Sequence, residues 1–161
     1  MVSDRIRANR LAVAMGAFGV YTTMMLLVER RMRQTGGPGI IPFELASNAS
    51  RAEVMMTRWG RDGQRAARLS LWLDFGYMAT YGTLVGLLVD RARRRRGHPA
   101  AVPAIVIVAV AADATEGISL LKVLNHESVA AYSRRAQIAA LIKFAVLAGT
   151  LGYAAIGRDR P

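Results

Sequence analysis

Apolar blocks separated by charged ones run the length of this chain. Residues 11–28 carry no charge and are bracketed by Arg10 and by Glu29-Arg30-Arg31; residues 69–89, 100–121 and 136–156 repeat the pattern with only isolated charges inside. A helix needs roughly 20 apolar residues to cross bilayer hydrocarbon, so each block predicts a membrane span. The second block ends in Asp90-Arg91-Ala92-Arg93-Arg94-Arg95-Arg96, then Gly97 and Pro99, a helix-stop signal. Pro103 falls in the first turn of the third, where its missing N–H does little harm. Arg5, Arg7 and Arg10 resemble the n-region of a signal peptide, but no small-x-small site follows the first block, which favours a retained helix.

The connection between the first two blocks is not linker-like. Gly36-Gly37-Pro38-Gly39 marks a turn, and Ile40-Ile41-Pro42-Phe43-Glu44-Leu45 after it is too apolar for a solvated loop. Ser50-Arg51-Ala52-Glu53 fits a capping box opening a short helix over residues 50–60. Val54, Met55 and Trp59 form its expected apolar face, and Gly60 is its expected end. Trp59 is the kind of amphipathic ring that anchors at a bilayer interface. Asp62 then caps a helix that continues through the second span. The predicted fold is all-α: one integral membrane domain over residues 1–161, a four-transmembrane-helix bundle with an amphipathic helix lying on its mouth. Asn48-Ala49-Ser50 also matches a glycosylation sequon, a weak signal because it overlaps the cap.

Composition sharpens this picture. The chain is 53% hydrophobic while holding 22 Lys+Arg against 11 Asp+Glu, a net charge of +11. Segregation of the charges between apolar blocks sets it apart from a soluble bundle, which spreads charge along every helix. The basic excess reads as topology signal and contact with anionic headgroups rather than nucleic-acid binding, for which no motif is present. An even number of spans puts both termini on one side. The dense Asp90–Arg96 cluster joins the N-terminal arginines, Arg158 and Arg160 there, which predicts cytoplasmic termini in a bacterial inner membrane. Absence of cysteine excludes disulfides and thiolate chemistry.

Four charges sit inside the apolar blocks: Asp74, Asp113, Glu116 and Lys143. Each costs about 2.5–3.5 kcal/mol near a span centre on insertion scales. At about 1.5 Å rise per residue, Asp74 lies some 9 Å to the outer side of its span centre, Glu116 about 7 Å, Asp113 about 3 Å and Lys143 about 4–5 Å. All four therefore share one half of the membrane, beneath the long connection. Asp113 and Glu116 are three apart and share a face, and Asp74, Tyr77 and Tyr81 stack at spacings of three and four. Tyr21, Thr22 and Thr23 reach a comparable depth.

Two readings of this group stand side by side. Lys143 neutralises one carboxylate while hydroxyls satisfy the others, a polar knot that sets helix register. Alternatively the group lines an acidic, outward-facing site that binds or moves a lipid-like or small polar ligand, or a proton. In that reading Asp74, Asp113 and Glu116 supply negative charge, Lys143 a counter-ion, Tyr77 and Tyr81 hydroxyls, and Phe43 with Trp59 a lid. The expected partners are membrane lipids and other membrane subunits. An intramembrane enzyme using Asp113 or Glu116 as acid–base on a lipid or isoprenoid is the runner-up, and a purely structural subunit of a membrane complex is a third reading. No cofactor is called for. Asp113-x-x-Glu116 with Asp74 lacks the E-x-x-H pattern of carboxylate metal bundles. His126-Glu127 opens like a zincin motif but residue 130 is alanine, and His98 sits in a Gly-His-Pro turn. Gly82-x-x-x-Gly86 predicts close helix packing within the bundle.

Gly36-Gly37-Pro38-Gly39-Ile40, Phe43-Glu44-Leu45-Ala46, Trp59-Gly60, Leu73-Asp74-Phe75 with Tyr81, Asp113-x-x-Glu116 and Lys143-Phe144 together resemble an uncharacterised family of small bacterial four-span membrane proteins. The resemblance covers the chain from first span to fourth and implies the architecture without a reaction. Members of that family often read Asp-x-x-Glu-Asn in the third span, whereas Gly117 follows Glu116 here, so no asparagine amide completes the group.

Overall fold

The structure, a computed structural model, describes residues 2–156, and every regular element among them is helical. Helix α1 is Val2–Arg33, α2 is Ile40–Glu44, α3 is Ala49–Arg96, α4 is Ile105–Leu124 and α5 is Val129–Ala155, with a single 3₁₀ turn, Val102–Ala104, leading into α4. The polar tail Gly157-Arg158-Asp159-Arg160-Pro161 lies outside the described residues.

Three segments are long and apolar enough to cross a membrane: Asn9–Arg33, Val102–Leu124 and Val129–Ala155. Only 11, 39 and 22% of their most apolar windows is buried within the protein, so their side chains mostly face outward. Val13 is 71% exposed, Leu26 63% and Ile107 67%, while Asp113 and Glu116 are each 2% exposed and Lys143 6%. Such outward apolar surface costs about 25 cal/mol per Å² in water and marks an interaction surface, consistent with helices that cross a membrane.

Helix α3 is the hub: α1 packs along it, α4 and α5 pack on it and on each other, and α2 bridges α3 and α5. Gly76 lets α1 approach, since a Cβ there would meet the Tyr21 ring and hydroxyl, and Gly82 lies against Val110 of α4. The expected packing role of the Gly82/Gly86 pair therefore holds at Gly82, whereas Gly86 faces open space. Two apolar cores result. One gathers Met32, Phe43, Met56, Trp59, Leu71, Leu120 and Leu124 under the α1–α3 connection; the other joins Val85, Val89 and Val106 at the far end.

The connection departs from expectation in three details. Its cap is Asn48 rather than Ser50: the Asn48 side chain accepts from the Arg51 N–H at 2.9 Å, and Ser50 falls inside the first turn. The buried stripe is Ala52, Met56 and Trp59 with Met55 partly covered, whereas Val54 is exposed. Trp59 is a core residue rather than an interfacial anchor. It is 2% exposed, its indole packs edge-on against Phe43 at 4.8 Å, and its Nε1–H donates to the Pro38 carbonyl at 2.6 Å. Gly37 keeps that approach open, because a Cβ there would collide with the indole.

Gly60 breaks the helix as its identity suggested. Its φ of 57° and ψ of −163° lie in a region open essentially to glycine alone. The helical run then resumes, tied across the break by Gln64 Nε2 donating to the Met56 carbonyl at 2.9 Å; Asp62, expected to cap it, lies inside α3 instead and pairs with Arg65 at 3.4 Å. Gly60→Ala is expected to destabilise by about 1–3 kcal/mol, read as a lower thermal midpoint in detergent. Gly86→Ala, helical and facing open space, is expected to leave the midpoint unchanged or raise it slightly.

Candidate functional site

A polar cluster lies between the two apolar cores, with its members delivered by α2, α3, α4 and α5. Asp113 and Glu116 project from one face of α4, as a three-residue spacing requires. Lys143 comes from α5, whose buried stripe is otherwise small: Ser133, Ala136, Ala139 and Ala140. Small residues let helix backbones approach closely, which brings the ammonium within reach of α4. Tyr81 and Asp74 come from α3.

Lys143 holds the cluster together. Its Nζ donates to Asp113 Oδ1 at 2.9 Å and lies 2.7 Å from Glu116 Oε2 and 3.7 Å from Glu44 Oε2. Tyr81 donates its hydroxyl to the other Asp113 oxygen at 2.7 Å. Asp113 therefore has both oxygens engaged. The Glu116 contact is an ion pair off the hydrogen-bonding direction, which leaves Oε2 buried without a hydrogen bond. Asp74 is half-buried beside Asp113. Lys143 also lies 4.9 Å from the Phe144 ring centroid. Lys143, expected to neutralise one carboxylate, faces three with its single charge.

Glu44 is the member that sequence reading missed. It stands in α2, outside the predicted spans, is 8% exposed, and reaches Lys143 and Glu116 from above. Burial pushes its carboxyl above the ordinary glutamate value, against the opposing pull of Lys143. The signal was present, since a single acid inside Ile40-Ile41-Pro42-Phe43-Glu44-Leu45 is the same anomaly that marked the charges within the spans.

The remaining expected members sort differently. Tyr77 does not join the carboxylates; its hydroxyl lies 3.2 Å from Thr22 Oγ1 of α1, and its ring stacks on Phe18 and meets Tyr81 edge-on. Thr23 bonds its own helix at Gly19. Phe43 and Trp59, the expected lid, are both buried in mutual contact next to Glu44. His98 is more than a turn residue, with Nδ1 2.8 Å from the Tyr153 hydroxyl, tying the end of α3 to α5. Glu127 closes the α4–α5 turn by accepting from Lys122 at 2.9 Å, which holds its carboxyl below the usual range. Among the described residues no group of three or more His, Cys, Asp or Glu is arranged to hold a metal ion.

Chemically, three buried carboxylates around one ammonium, with the half-buried Asp74 beside them, form an acid-rich site. Removing charge from water costs several kcal/mol per ion unless it is paired. The surplus acid must therefore be met by protons or by a cation from outside. Comparison with family models, with curated proteins and with solved structures gives no match, so the reading rests on these residues.

Proposed function

We propose that the chain is a four-span integral protein of a bacterial inner membrane, both termini cytoplasmic, that binds or helps to move a lipid-like or small polar ligand through its cationic group. The observation that carries this reading is the imbalance around Lys143, which faces Asp113, Glu116 and Glu44 within 3.7 Å while Asp74 adds a fourth acid. The fourth span is residues 69–89 of α3. Its support is the outward Leu69 and Trp72, 46 and 62% exposed, and the arginine cluster that follows. The 49–59 stretch of α3 is the amphipathic helix on the mouth.

In this reading α2 is the lid. Glu44 makes the longest of the three contacts to Lys143 and is carried by a single short helix, so lifting α2 withdraws one carboxylate and opens the cluster. A ligand ammonium would then take the place of a proton in the acid surplus. The half-buried Asp74 is the first acid such a ligand meets.

Binding of a simple long-chain alkylammonium to the detergent-purified protein tests this by calorimetry. A bound cation favours ionised carboxylate, and Glu44 in the folded protein holds its proton to a higher pH than an ordinary glutamate, 4.5. Affinity is therefore expected to rise with pH above 4.5 until Glu44 is ionised. Glu44→Gln is expected to remove the part of that dependence that Glu44 contributes, and Asp113→Asn to weaken binding about tenfold or more, the scale of one lost charge-assisted contact. Absence of saturable binding at every pH, or full affinity in Asp113→Asn, would overturn the reading.

A further inference from the structure

A second feature lies on the opposite side of the α4–α5 pair, facing outward. A groove of about 840 Å³ runs between the two helices, walled by Ile107, Val108, Ile138 and Ile142 and floored by alanines. Thr115, which also lines it, spends its hydroxyl on the Ala111 carbonyl at 2.8 Å, so the trough offers an occupant little but hydrocarbon. Arg134 and Arg135 line the same groove. Both are exposed, and neither forms an ion pair among the described residues. No acid lines the groove.

Both helices belong to segments long and apolar enough to cross a membrane. Arg134 and Arg135 stand near the start of α5, and the trough continues from them to Ile142, about 10 Å along the axis at 1.5 Å per residue. That depth fits within the roughly 15 Å of one leaflet, half of a ~30 Å hydrocarbon core. A paired positive mouth above an apolar trough one leaflet deep matches one occupant in both charge and shape. Arginine forks suit phosphate oxygens, and basic residues at the membrane surface attract anionic lipid.

We propose that the α4–α5 groove is a binding site for an anionic phospholipid, with an acyl chain in the trough and the phosphate on Arg134 and Arg135. The site is separate from the buried cluster and does not depend on the function assigned there. It selects lipid by headgroup charge.

The test is native mass spectrometry of the full chain, delipidated in detergent and titrated with phosphatidylglycerol or phosphatidylcholine of matched acyl chains. The wild type is expected to prefer phosphatidylglycerol about thirtyfold, in line with the contribution of two arginines at a membrane surface. The surface double variant Arg134→Gln/Arg135→Gln should lose that preference while still binding phosphatidylcholine. Ala111→Trp, which fills the trough from an exposed position, should weaken both lipids. Arg91→Gln/Arg95→Gln, at the other end of the bundle, should leave the preference intact. Preference unchanged in the Arg134/Arg135 variant, or abolished instead by the Arg91/Arg95 variant, overturns the proposal. So does equal competition by glycerol phosphate, which has no chain to place in the trough.

Discussion

Lys143→Met is expected to destabilise the protein by about 3–5 kcal/mol, the range for removing one partner of a buried ion pair. Three carboxylates lose their counter-ion at once, because Lys143 Nζ lies within 3.7 Å of Asp113, Glu116 and Glu44. None of them is placed to recruit water, with Asp113 and Glu116 each 2% exposed and Glu44 8%. Methionine fills much of the lysine volume, so the loss reports charge rather than a cavity. The measurement is the thermal midpoint of the detergent-extracted protein, together with the fraction that remains monodisperse. Lys143→Met/Asp113→Asn should recover part of the loss, since it removes an acid that the lysine served, and such coupling between contacting residues is the expected non-additivity. A single variant as stable as the wild type would mean that the cluster is wetter than its burial indicates. Lys143→Arg is expected to be poorly tolerated as well, because a planar guanidinium does not present its donors as a compact ammonium does.

Trp59→Ala should cost about 3–5 kcal/mol, as for other buried tryptophans truncated to alanine, and the effect should concentrate at the mouth of the bundle. The indole supports Phe43 from beneath and holds the Pro38 carbonyl, so its removal frees both ends of the segment that carries Glu44. Hydrogen exchange over residues 36–48 should accelerate well beyond that of α4. Trp59→Phe keeps most of the packing and loses one hydrogen bond, an expected cost of about 1 kcal/mol, with exchange near the wild-type rate. Exchange unaltered in Trp59→Ala would show that α2 is held by other contacts and that the tryptophan is no part of a lid. Fluorescence offers a second reading, because the remaining tryptophan, Trp72, is 62% exposed on α3.

Comparison of particular residues shows how far the sequence carried. Asp113 and Glu116 share a face because helical periodicity leaves no alternative at a spacing of three. The common depth of Lys143 and the α4 acids followed from rise per residue alone, and the direct bond between Lys143 and Asp113 agrees with it. Tyr77 and Tyr81 had equal claims by the same reasoning, one turn apart on α3. Tyr81 turned toward Asp113 and Tyr77 toward Thr22 of α1, because the rotation of α3 between its neighbours, not spacing within α3, divides its face. The same holds on the short stretch before Gly60, where Met56 is buried and Val54 exposed.

Periodicity could not place Glu44, although its isolation in an apolar run marked it. A helix of five residues, Ile40–Glu44, has too little length for periodicity to show which side is buried. Its place depends on Phe43 finding Trp59, and on the Ile40 N–H being held by Glu29 of α1 at 3.0 Å. These contacts join residues far apart in the chain.

What this sequence determined by itself is its apolar segmentation and its punctuation. Apolar blocks bounded by arginines give helices long and apolar enough to cross a membrane, and glycine at residues 60 and 97 interrupts or ends helices at positive φ because other residues adopt that backbone only under strain. Tertiary structure alone decided the partners: one lysine shared among three acids, one of them lent by the α1–α3 connection, and a basic-mouthed groove on the far side of the same two helices. The physical reason is that rise and periodicity are properties of a single helix. Charge pairing depends on how near and at what rotation two helices meet, and here the small side chains of α5 and the docking of α2 set both.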